Sequence, residues 1–265
     1  MSEKIKVILG GSEGRMGLII QELARKSEDV DIICGFDPKK EDLKNFSDVI
    51  NTKRDLTKRA NVYVDFTRPD AVLSNIEDAS KEGLDSIIGT TGWYSKLDIV
   101  KKMAVEYGRR ILYGPNFSPG VNVLFYITQK AARLLGKFGY DTAIREVHHT
   151  GKVDSPSGTA ITLGDILLKE MAKKRLAYER RVKRDDSEVD VIGMRVGKVA
   201  GNHEVWFTPK ESYSERLVLQ HDIFSPEVLG VGALIGIRWI SQAQKEKRPS
   251  GVYSFYDDVL GLSKE

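Results

Sequence analysis

The first half of the chain alternates short β-branched runs with longer amphipathic stretches, and this alternation limits the possible folds more than any other feature. Such a pattern is typical of repeated βαβ units, which form a parallel sheet covered by helices. Strands are predicted at residues 6–10, 31–36, 62–66, 86–89 and 111–114. Helices are predicted at residues 16–26, 71–82 and 97–107. The sequence therefore predicts an α/β, Rossmann-like domain.

The pattern changes after residue 118, which indicates a second domain. The predicted elements there are a long helix at 121–138, a strand at 141–149, a helix at 159–174 with Ser157 as its N-cap, and strands at 189–196, 203–207 and 215–222. Because no helix separates the last three strands, they predict an antiparallel sheet and an α+β domain. The charged stretch at 175–188 is predicted to be an exposed loop.

The last predicted helix, at 227–244, carries an apolar stripe of Leu229, Ala233, Ile237 and Ile240. We assign this tail to the first domain, which makes the second domain an insertion. The expected boundaries are 1–118 with 226–265 for a dinucleotide-binding domain, and 119–225 for a substrate-binding and oligomerisation domain.

Composition excludes several classes of protein. The 41 basic and 38 acidic residues leave a net charge of only +3 with no long basic block, which argues against a nucleic-acid partner. The single cysteine, Cys34, lies in an apolar run and is expected to be a buried, inert thiol. No apolar segment is long enough to be a signal peptide or to span a membrane, so a cytoplasmic protein is expected.

A glycine at every third position marks the turn Gly11-Ser12-Glu13-Gly14-Arg15-Met16-Gly17, which follows the first predicted strand and starts the first helix. This is the context of a dinucleotide site, although the spacing differs from the usual G-x-G-x-x-G. Asp37 ends the second strand, where a carboxylate accepts hydrogen bonds from the adenine ribose. Lys39 and Lys40 follow it and could hold a 2′-phosphate, so NADH, NADPH or both are possible cofactors. The alternative for Asp37 is a turn residue before Pro38.

Three further loops follow predicted strands, at 65–69, 89–92 and 115–118. In an open parallel sheet, ligands bind beyond the carboxyl ends of the strands. These loops are therefore expected to line the cofactor site, although each one seen singly could be an ordinary turn.

Cationic residues concentrate in the stretch at 146–160, which contains His148, His149 and Lys152. Adjacent residues at the end of a strand point to opposite faces, so the two histidines are expected to have different roles: one exchanges a proton and the other binds an anion. The helix that begins after Ser157 offers N–H groups to a carboxylate. A metal site is not expected, because the histidines lack helical spacing and acidic partners.

Several strings of residues resemble those of the 4-hydroxy-tetrahydrodipicolinate reductase family, also called the dihydrodipicolinate reductase family. They are GSEGRMG, DFTRPDA, GTTG, NFSPGVNV, EVHHTGKVDSPSGTA and DDVLGL, in the family's order from Gly11 to Leu262. The resemblance covers nearly the whole chain, and the string with two histidines is highly specific. It implies an NADH- or NADPH-dependent oxidoreductase of lysine and diaminopimelate biosynthesis, with a small dicarboxylate as substrate.

The resemblance also implies roles for individual residues. His148 is implied as the catalytic proton donor or acceptor and Lys152 as a second proton donor. His149, Gly158 and Thr159 would bind the substrate. The implied cofactor-binding residues are Gly11, Ser12, Glu13, Gly14, Arg15, Met16, Asp37, Gly89, Thr90, Thr91, Pro115, Asn116, Phe117 and Ser118. A homotetramer built on the sheets of the second domain, with closure of the two domains during turnover, is expected.

The chain departs from the family pattern at Glu13, where a small residue is usual, and at Pro226 and Leu229, which replace an arginine and a phenylalanine. Two other functions remain open. One is an amino-acid or semialdehyde dehydrogenase with a similar two-domain plan, which explains the glycine turn but not the histidine string. The other is a nucleotide-sensing regulator, which would bind the cofactor without turnover.

Overall fold

A computed structural model describes residues 3–178, 185–211 and 214–263 of the chain. These residues form two units, each with its own sheet and helices. Unit 1 comprises Met1–Ser118 and Glu227–Glu265, and unit 2 comprises Pro119–Pro226.

The strands and helices are numbered in chain order. The strands are β1 (Ile5–Gly10), β2 (Val30–Phe36), β3 (Val62–Asp65), β4 (Asp85–Ile88), β5 (Arg110–Tyr113), β6 (Tyr140–His148), β7 (Arg175–Ala177), β8 (Glu188–Arg195), β9 (Gly201–Pro209), β10 (Leu217–Ile223) and β11 (Gly251–Ser254). The α-helices are α1 (Arg15–Lys26), α2 (Phe46–Arg59), α3 (Val72–Lys81), α4 (Leu97–Glu106), α5 (Pro119–Leu135), α6 (Gly158–Glu170) and α7 (Glu227–Lys245). Short 3-10 turns lie at Tyr94–Lys96 and Gly136–Phe138, and a π-helical turn lies at Phe255–Val259.

Unit 1 is built on a six-stranded sheet with the order β11-β5-β4-β3-β1-β2, in which every pair of neighbours is parallel. Consecutive residues of a strand point to opposite faces of the sheet, and Val7, Ile8 and Leu9 of β1 are all fully buried. Both faces of the sheet are therefore covered at this strand, as is typical of a parallel sheet. The predicted Rossmann-like α/β class and its five strands and three helices are confirmed. The helix α2 and the edge strand β11 were not predicted.

The helix α7 packs against α1 and the sheet of unit 1. Ala233, Ile237 and Ile240 of its predicted stripe are fully buried, whereas Leu229 is half-buried. Gly232 lets the helix approach the chain after β5 closely, because a Cβ there would lie 1.6 Å from the carbonyl oxygen of Phe117. The C-terminal tail therefore belongs to the core of unit 1.

Unit 2 contains a five-stranded sheet with the order β10-β9-β6-β8-β7. The α+β class is confirmed, but the expected antiparallel arrangement is wrong for half of the sheet: β8 pairs parallel with β6 and with β7, and only β9 and β10 are antiparallel to their neighbours. The reason lies in the chain order, because α6 lies between β6 and β8 and carries the crossover that a parallel pair requires.

The stretch predicted to be an exposed loop begins with the strand β7, so that prediction is wrong at 175–177. Ala177 is buried, and Arg175 Nε donates to Glu188 Oε1 at 2.7 Å. Residues 179–184 of the predicted loop lie outside the described residues. The helix α6 also ends at Glu170, four positions before its predicted end.

Within the described parts of the chain, no helix has both the length and the apolar character needed to cross a bilayer.

Candidate active site

The glycine-rich turn between β1 and α1 depends on two positions that cannot carry a side chain. Gly11 has a φ of +77°, a conformation that glycine adopts without strain, and a Cβ there would lie 2.2 Å from the Phe66 carbonyl oxygen. A Cβ at Gly17 would lie 2.2 Å from the carbonyl oxygen of Gly11. The turn therefore brings the start of α1 against the end of β1. The first N–H groups of α1 have no acceptor within the helix and suit an anionic phosphate.

Asp37 follows β2 directly and contacts this turn. Its Oδ2 accepts a hydrogen bond from Glu13 N at 3.2 Å, and its Oδ1 accepts one from Lys39 N at 3.0 Å. The backbone N–H of Lys40 donates to Asp37 O at 2.9 Å, so Asp37 also shapes a turn, as the alternative reading expected. It stands where the adenine ribose binds in this fold class, and its carboxylate already accepts two backbone N–H groups.

Two lysines surround Glu13. Lys40 Nζ donates to Gly35 O at 2.7 Å and lies 3.5 Å from Glu13 Oε1, while Lys39 Nζ lies 3.5 Å from Glu13 O. A 2′-phosphate at this end of the turn would meet the two ammonium groups and the carboxylates of Glu13 and Asp37. The charges therefore leave both NADH and NADPH as possible ligands.

An open cleft of about 330 Å³ lies at the carboxyl ends of β1, β3 and β4. It brings together three of the predicted loops. The lining residues are Gly14, Arg15, Met16, Phe66, Thr67, Pro69, Gly89, Thr90 and Thr91.

Asp65, which is fully buried, joins two of these loops. Its Oδ1 accepts from Thr67 N at 2.9 Å, Thr67 Oγ1 at 2.8 Å and Thr90 Oγ1 at 2.6 Å. Its Oδ2 accepts from Tyr63 Oη and from Asn75 Nδ2 at 3.0 Å. Sequence reasoning identified the loop but not this role, since the partners come from three elements.

The predicted segment Pro115–Ser118 is not among the residues that line this cleft. Phe117 and Ser118 are buried, and the ring of Phe117 lies 4.8 Å from that of Phe255 in the core of unit 1. Asn116 Oδ1 accepts from Ser118 N at 2.8 Å and shapes the loop. Cofactor contact by this segment stays a prediction.

In unit 2, His148 ends β6 and its side chain is buried beside two other titratable groups. Its Nδ1 lies 3.4 Å from Glu146 Oε2, and the same oxygen lies 3.7 Å from His203 Nε2. Glu146 is two residues before His148 and therefore shares its face of the strand. His203 lies opposite Glu146 on β9. Strand periodicity could have identified Glu146, but nothing local to β6 points to His203.

Burial is the main influence on both buried histidines. It lowers the pKa of His148 below its ordinary value, with Glu146 acting in the opposite direction and Lys152 and Arg195 adding to the decrease. Burial, reinforced by His148, lowers the pKa of His203 to about 4. His203 is therefore neutral near pH 7. The protonation of His148 depends on the balance between Glu146, which favours the charged ring, and Lys152 and Arg195, which disfavour it.

His149 follows the last residue of β6 and is half-buried, and a Cβ at Gly151 would lie 3.4 Å from its Nδ1; its orientation opposite to His148 stays a prediction. Lys152 Nζ contacts both carboxylate oxygens of Asp154, at 2.7 and 2.8 Å, a partner that the sequence did not suggest. Arg195 joins this loop to β6, because its Nη2 donates both to Asp154 O and to Glu146 Oε1.

The helix α6 begins beside the histidines, and its N-cap is the predicted Ser157. Ser157 Oγ accepts from Ala160 N at 3.2 Å and lies 3.1 Å from His203 Nε2. The N–H groups of Gly158 and Thr159, at the first two helical positions, have no acceptor within the helix. These two N–H groups could therefore donate to a carboxylate close to the cationic loop.

The expectation that the histidines lack acidic partners is wrong for His148. Within the described residues, Glu146 Oε2, His148 and His203 place one ligand-type atom each within 4.8 Å of one another, a group that could hold a metal ion. The acidic partner comes from the same face of β6, two residues before His148, and the second histidine comes from β9.

The chain combines a parallel sheet that has a glycine turn at its first strand with a second unit that concentrates cationic groups at a helix N-terminus, and this combination defines a two-domain oxidoreductase of the nicotinamide-dependent class. Family models for the dihydrodipicolinate reductase N-terminus and C-terminus match residues 5–117 and 120–260. The chain therefore belongs to the dihydrodipicolinate reductase family.

Curated relatives agree over their full lengths. The chain is 34% identical to the 4-hydroxy-tetrahydrodipicolinate reductase of Methanopyrus kandleri, with 97% of each chain covered. It is 33% identical to that of Aquifex aeolicus, with coverage of 97% of this chain and 99% of the relative.

Solved structures show the same fold. A dipicolinate-bound dihydrodipicolinate reductase from Paenisporosarcina sp. TG-14 matches with a TM-score of 0.74 at 20% identity, covering 95% of this chain and 97% of that one. A DAP dehydrogenase of C. glutamicum matches with a TM-score of 0.55 at 12% identity, covering 98% and 96%. At these identities the likeness concerns the fold alone.

Proposed function

We propose that the chain reduces 4-hydroxy-tetrahydrodipicolinate to tetrahydrodipicolinate with NADH or NADPH, in lysine and diaminopimelate biosynthesis. The observation that carries this proposal is the family match, which spans both units and almost the whole of each curated relative. By atom balance, the 4-hydroxyl group leaves as water together with a ring proton, which creates a double bond, and reduction of that double bond consumes one hydride and one proton.

Unit 1 is proposed as the cofactor-binding domain. The residues present suit a dinucleotide: Gly11 and Gly17 allow close approach of its pyrophosphate, and Asp37 and the lysines after it stand at the position of the adenine ribose. The cleft lined by Thr67 and Thr90 would hold the nicotinamide end. A nicotinamide bound there supplies the hydride.

Unit 2 is proposed as the substrate-binding domain. The N–H groups of Gly158 and Thr159 would bind one carboxylate of the substrate, and His149 and Lys152 would offset its negative charge. His148 would release its proton to one carbon of the double bond as the hydride arrives at the neighbouring carbon, and Lys152 is a second donor. These groups also stabilise the negative charge that develops during reduction.

The test is oxidation of NADH and NADPH, followed by nicotinamide absorbance, with substrate freshly formed from pyruvate and aspartate semialdehyde. His148→Gln should lower kcat by about 10² to 10⁴ with little change in KM, because a proton donor acts in the transition state. Turnover with an amino acid or with aspartate semialdehyde, and none with the condensation product, would favour the dehydrogenase alternative. Cofactor binding without any turnover would favour the regulator.

Assembly into a homotetramer through unit 2 is part of the proposal. One face of its sheet exposes Ile192 (47%) and Met194 (41%) on β8, and an exposed apolar sheet face favours association. Light scattering should give four times the mass of the chain, and Ile192→Asp with Met194→Asp should reduce it. A monomer at micromolar concentration would contradict this part of the proposal.

A further inference from the structure

Glu146 is fully buried, and only one of its two oxygens is committed to hydrogen bonds. Its Oε1 accepts from Ser157 N at 3.0 Å and from Arg195 Nη2 at 3.1 Å. These contacts connect β6 to the start of α6 and to β8. The carboxylate is therefore held in one orientation from two sides.

The other oxygen, Oε2, has no hydrogen-bond partner, although it is buried. The nearest ring nitrogens are His148 Nδ1 at 3.4 Å and His203 Nε2 at 3.7 Å. Both distances exceed that of a good hydrogen bond, as is common for catalytic groups before the substrate binds. Nδ1 of His148 is likewise buried without a partner, so the two unsatisfied atoms face each other.

Gly193 leaves space for the carboxylate of Glu146. A Cβ at Gly193, which lies opposite Glu146 on β8, would be 3.1 Å from Glu146 Oε1 and 2.7 Å from Ser155 Oγ. The absence of a side chain lets the carboxylate and the loop after Lys152 approach each other. The surroundings thus preserve the position of the carboxylate.

We infer that Glu146 is a positioning residue for the reduction, which keeps a proton on His148 Nδ1 and leaves Nε2 as the atom that transfers a proton to the substrate. This inference rests on the proposed role of His148. In the step itself, the hydride adds to one carbon of the substrate's double bond, the Nε2–H bond of the imidazolium breaks, and the π electrons form the new C–H bond to that proton at the neighbouring carbon. The neutral ring that remains keeps its Nδ1–H toward Glu146 Oε2.

Several charged groups face His148 from the elements around it. Glu146 favours the imidazolium, as does Asp154, whereas Lys152, Arg195 and burial disfavour it. His203, from β9, is neutral near pH 7, and His221 lies beyond it on β10. Glu146 is thus the main group that keeps a proton available on a buried ring.

The experiment is an NMR titration of the whole protein labelled with ¹³C at histidine Cε1. The chain has only four histidines, so His148→Gln and His203→Gln variants assign the signals. Glu146→Gln keeps the shape and the acceptor for Ser157 N but removes the charge. It should lower the pKa of His148 by about 1 or more, because an opposite charge at this distance typically raises a histidine by that amount.

Kinetics supply a second measurement. A proton donor must be protonated, so activity falls as pH rises through its pKa. In Glu146→Gln this fall should begin at lower pH, by the same interval that NMR gives, with kcat changed far more than KM. Glu146→Asp retains the charge and should recover part of both effects.

Glu188→Gln is the matched control. Glu188 is also fully buried in unit 2, and it also pairs with an arginine, Arg175. It is the first residue of β8, whereas Glu146 lies opposite Gly193, near the last residue of that strand. This variant should lose comparable stability and leave the titration of His148 unchanged. Equal His148 titrations in the Glu146 and Glu188 variants would overturn the inference while leaving the proposed role of His148 intact. An unchanged kcat in His148→Gln would instead overturn that role, and this inference with it.

A metal ion is the competing use of the same three side chains. Arg195 already neutralises Glu146, and Lys152 is paired with Asp154, so these side chains offer a divalent cation no net negative charge. One equivalent of Zn²⁺ should leave the His148 and His203 signals unchanged. Stoichiometric binding that Glu146→Gln abolishes would overturn the positioning role.

Discussion

Asp65→Asn tests whether the buried carboxylate between β3 and the cofactor cleft shapes that cleft. In the native chain Asp65 accepts five hydrogen bonds, from Thr67 N and Oγ1, Thr90 Oγ1, Tyr63 Oη and Asn75 Nδ2. Asparagine keeps the shape but removes the charge and turns one acceptor into a donor. Either the loop after β3 or the loop after β4 must then adjust.

The magnitude follows from the number of bonds. A hydrogen bond to a charged group contributes about 1.5 to 3 kcal/mol and one between neutral groups about 0.5 to 1.5 kcal/mol, so each of the bonds loses roughly 1 kcal/mol. Neutralising a buried group also removes its desolvation cost, which leaves a net loss of about 2 to 4 kcal/mol. Because Thr67 and Thr90 line the cleft, NADH should bind at least about tenfold more weakly, which corresponds to about 1.4 kcal/mol.

Urea unfolding and calorimetric titration of NADH measure the two effects separately. The matched control is Asp85→Asn. Asp85 is equally buried and pairs with Arg110, accepting from its N at 2.8 Å and its Nη1 at 3.0 Å, but it lies at the amino end of β4, away from the cleft. The control should lose similar stability and bind NADH normally. If Asp65→Asn also bound NADH normally despite its lower stability, the network would have no part in shaping the cleft.

Three further predictions concern other parts of the molecule. Asp37→Ala should weaken NADH more than NADPH in the same titration, because only NADH has both ribose hydroxyls for a carboxylate to bind; equal weakening would make Asp37 a turn residue only. Lys152→Ala should lower kcat and substrate affinity, and Thr159→Val should raise KM by a factor that corresponds to about 1 to 3 kcal/mol. Neither variant should lose NADH affinity in the absence of substrate, and Lys198→Ala, which replaces an exposed lysine, is the control. Burial lowers the pKa of His203 from its ordinary value of 6.5 to about 4 in the folded chain. Between these two pH values the unfolded chain therefore binds a proton at this histidine and the folded chain does not. This group should therefore lower stability by roughly 3 kcal/mol as pH drops through that interval, and His203→Gln should reduce the slope in urea unfolding by that amount, leaving the contributions of His148 and His221, whose pKa values burial also lowers. An unchanged slope in the variant would assign it to another group.

The helix that the periodicity did not predict, α2, has a start signal in its local sequence. The helix α2 begins with a capping box in which Asn45 Oδ1 accepts from Asp48 N and Asp48 accepts from Asn45 N. Asparagine followed three residues later by aspartate is visible in the sequence. It was missed because α2 buries few apolar side chains and has a kink at Lys53, which together weaken its periodicity.

Some features of the candidate site follow from local sequence, and others appear only in the structure. The glycine turn, the loops after β3 and β4, the cationic loop and the Ser157 N-cap are each encoded within a few residues, and they were predicted from the sequence. Cofactor contact by the loop at 115–118 stays a prediction, and the structure adds that the ring of Phe117 lies in the core of unit 1. Lys152 was predicted as a charge, but its pairing with Asp154 appears only in the structure.

The sequence by itself determined the elements whose causes are local: the alternation of strands and helices, the turn that only glycine can form, and the cap of α6. Tertiary structure decided which strands became neighbours, so that β8 runs parallel to β6 and β9 brings His203 to Glu146. It also decided that Asp65 would receive donors from three separate elements. These contacts join residues far apart in the chain, and their free energy depends on burial and geometry that no window of sequence contains.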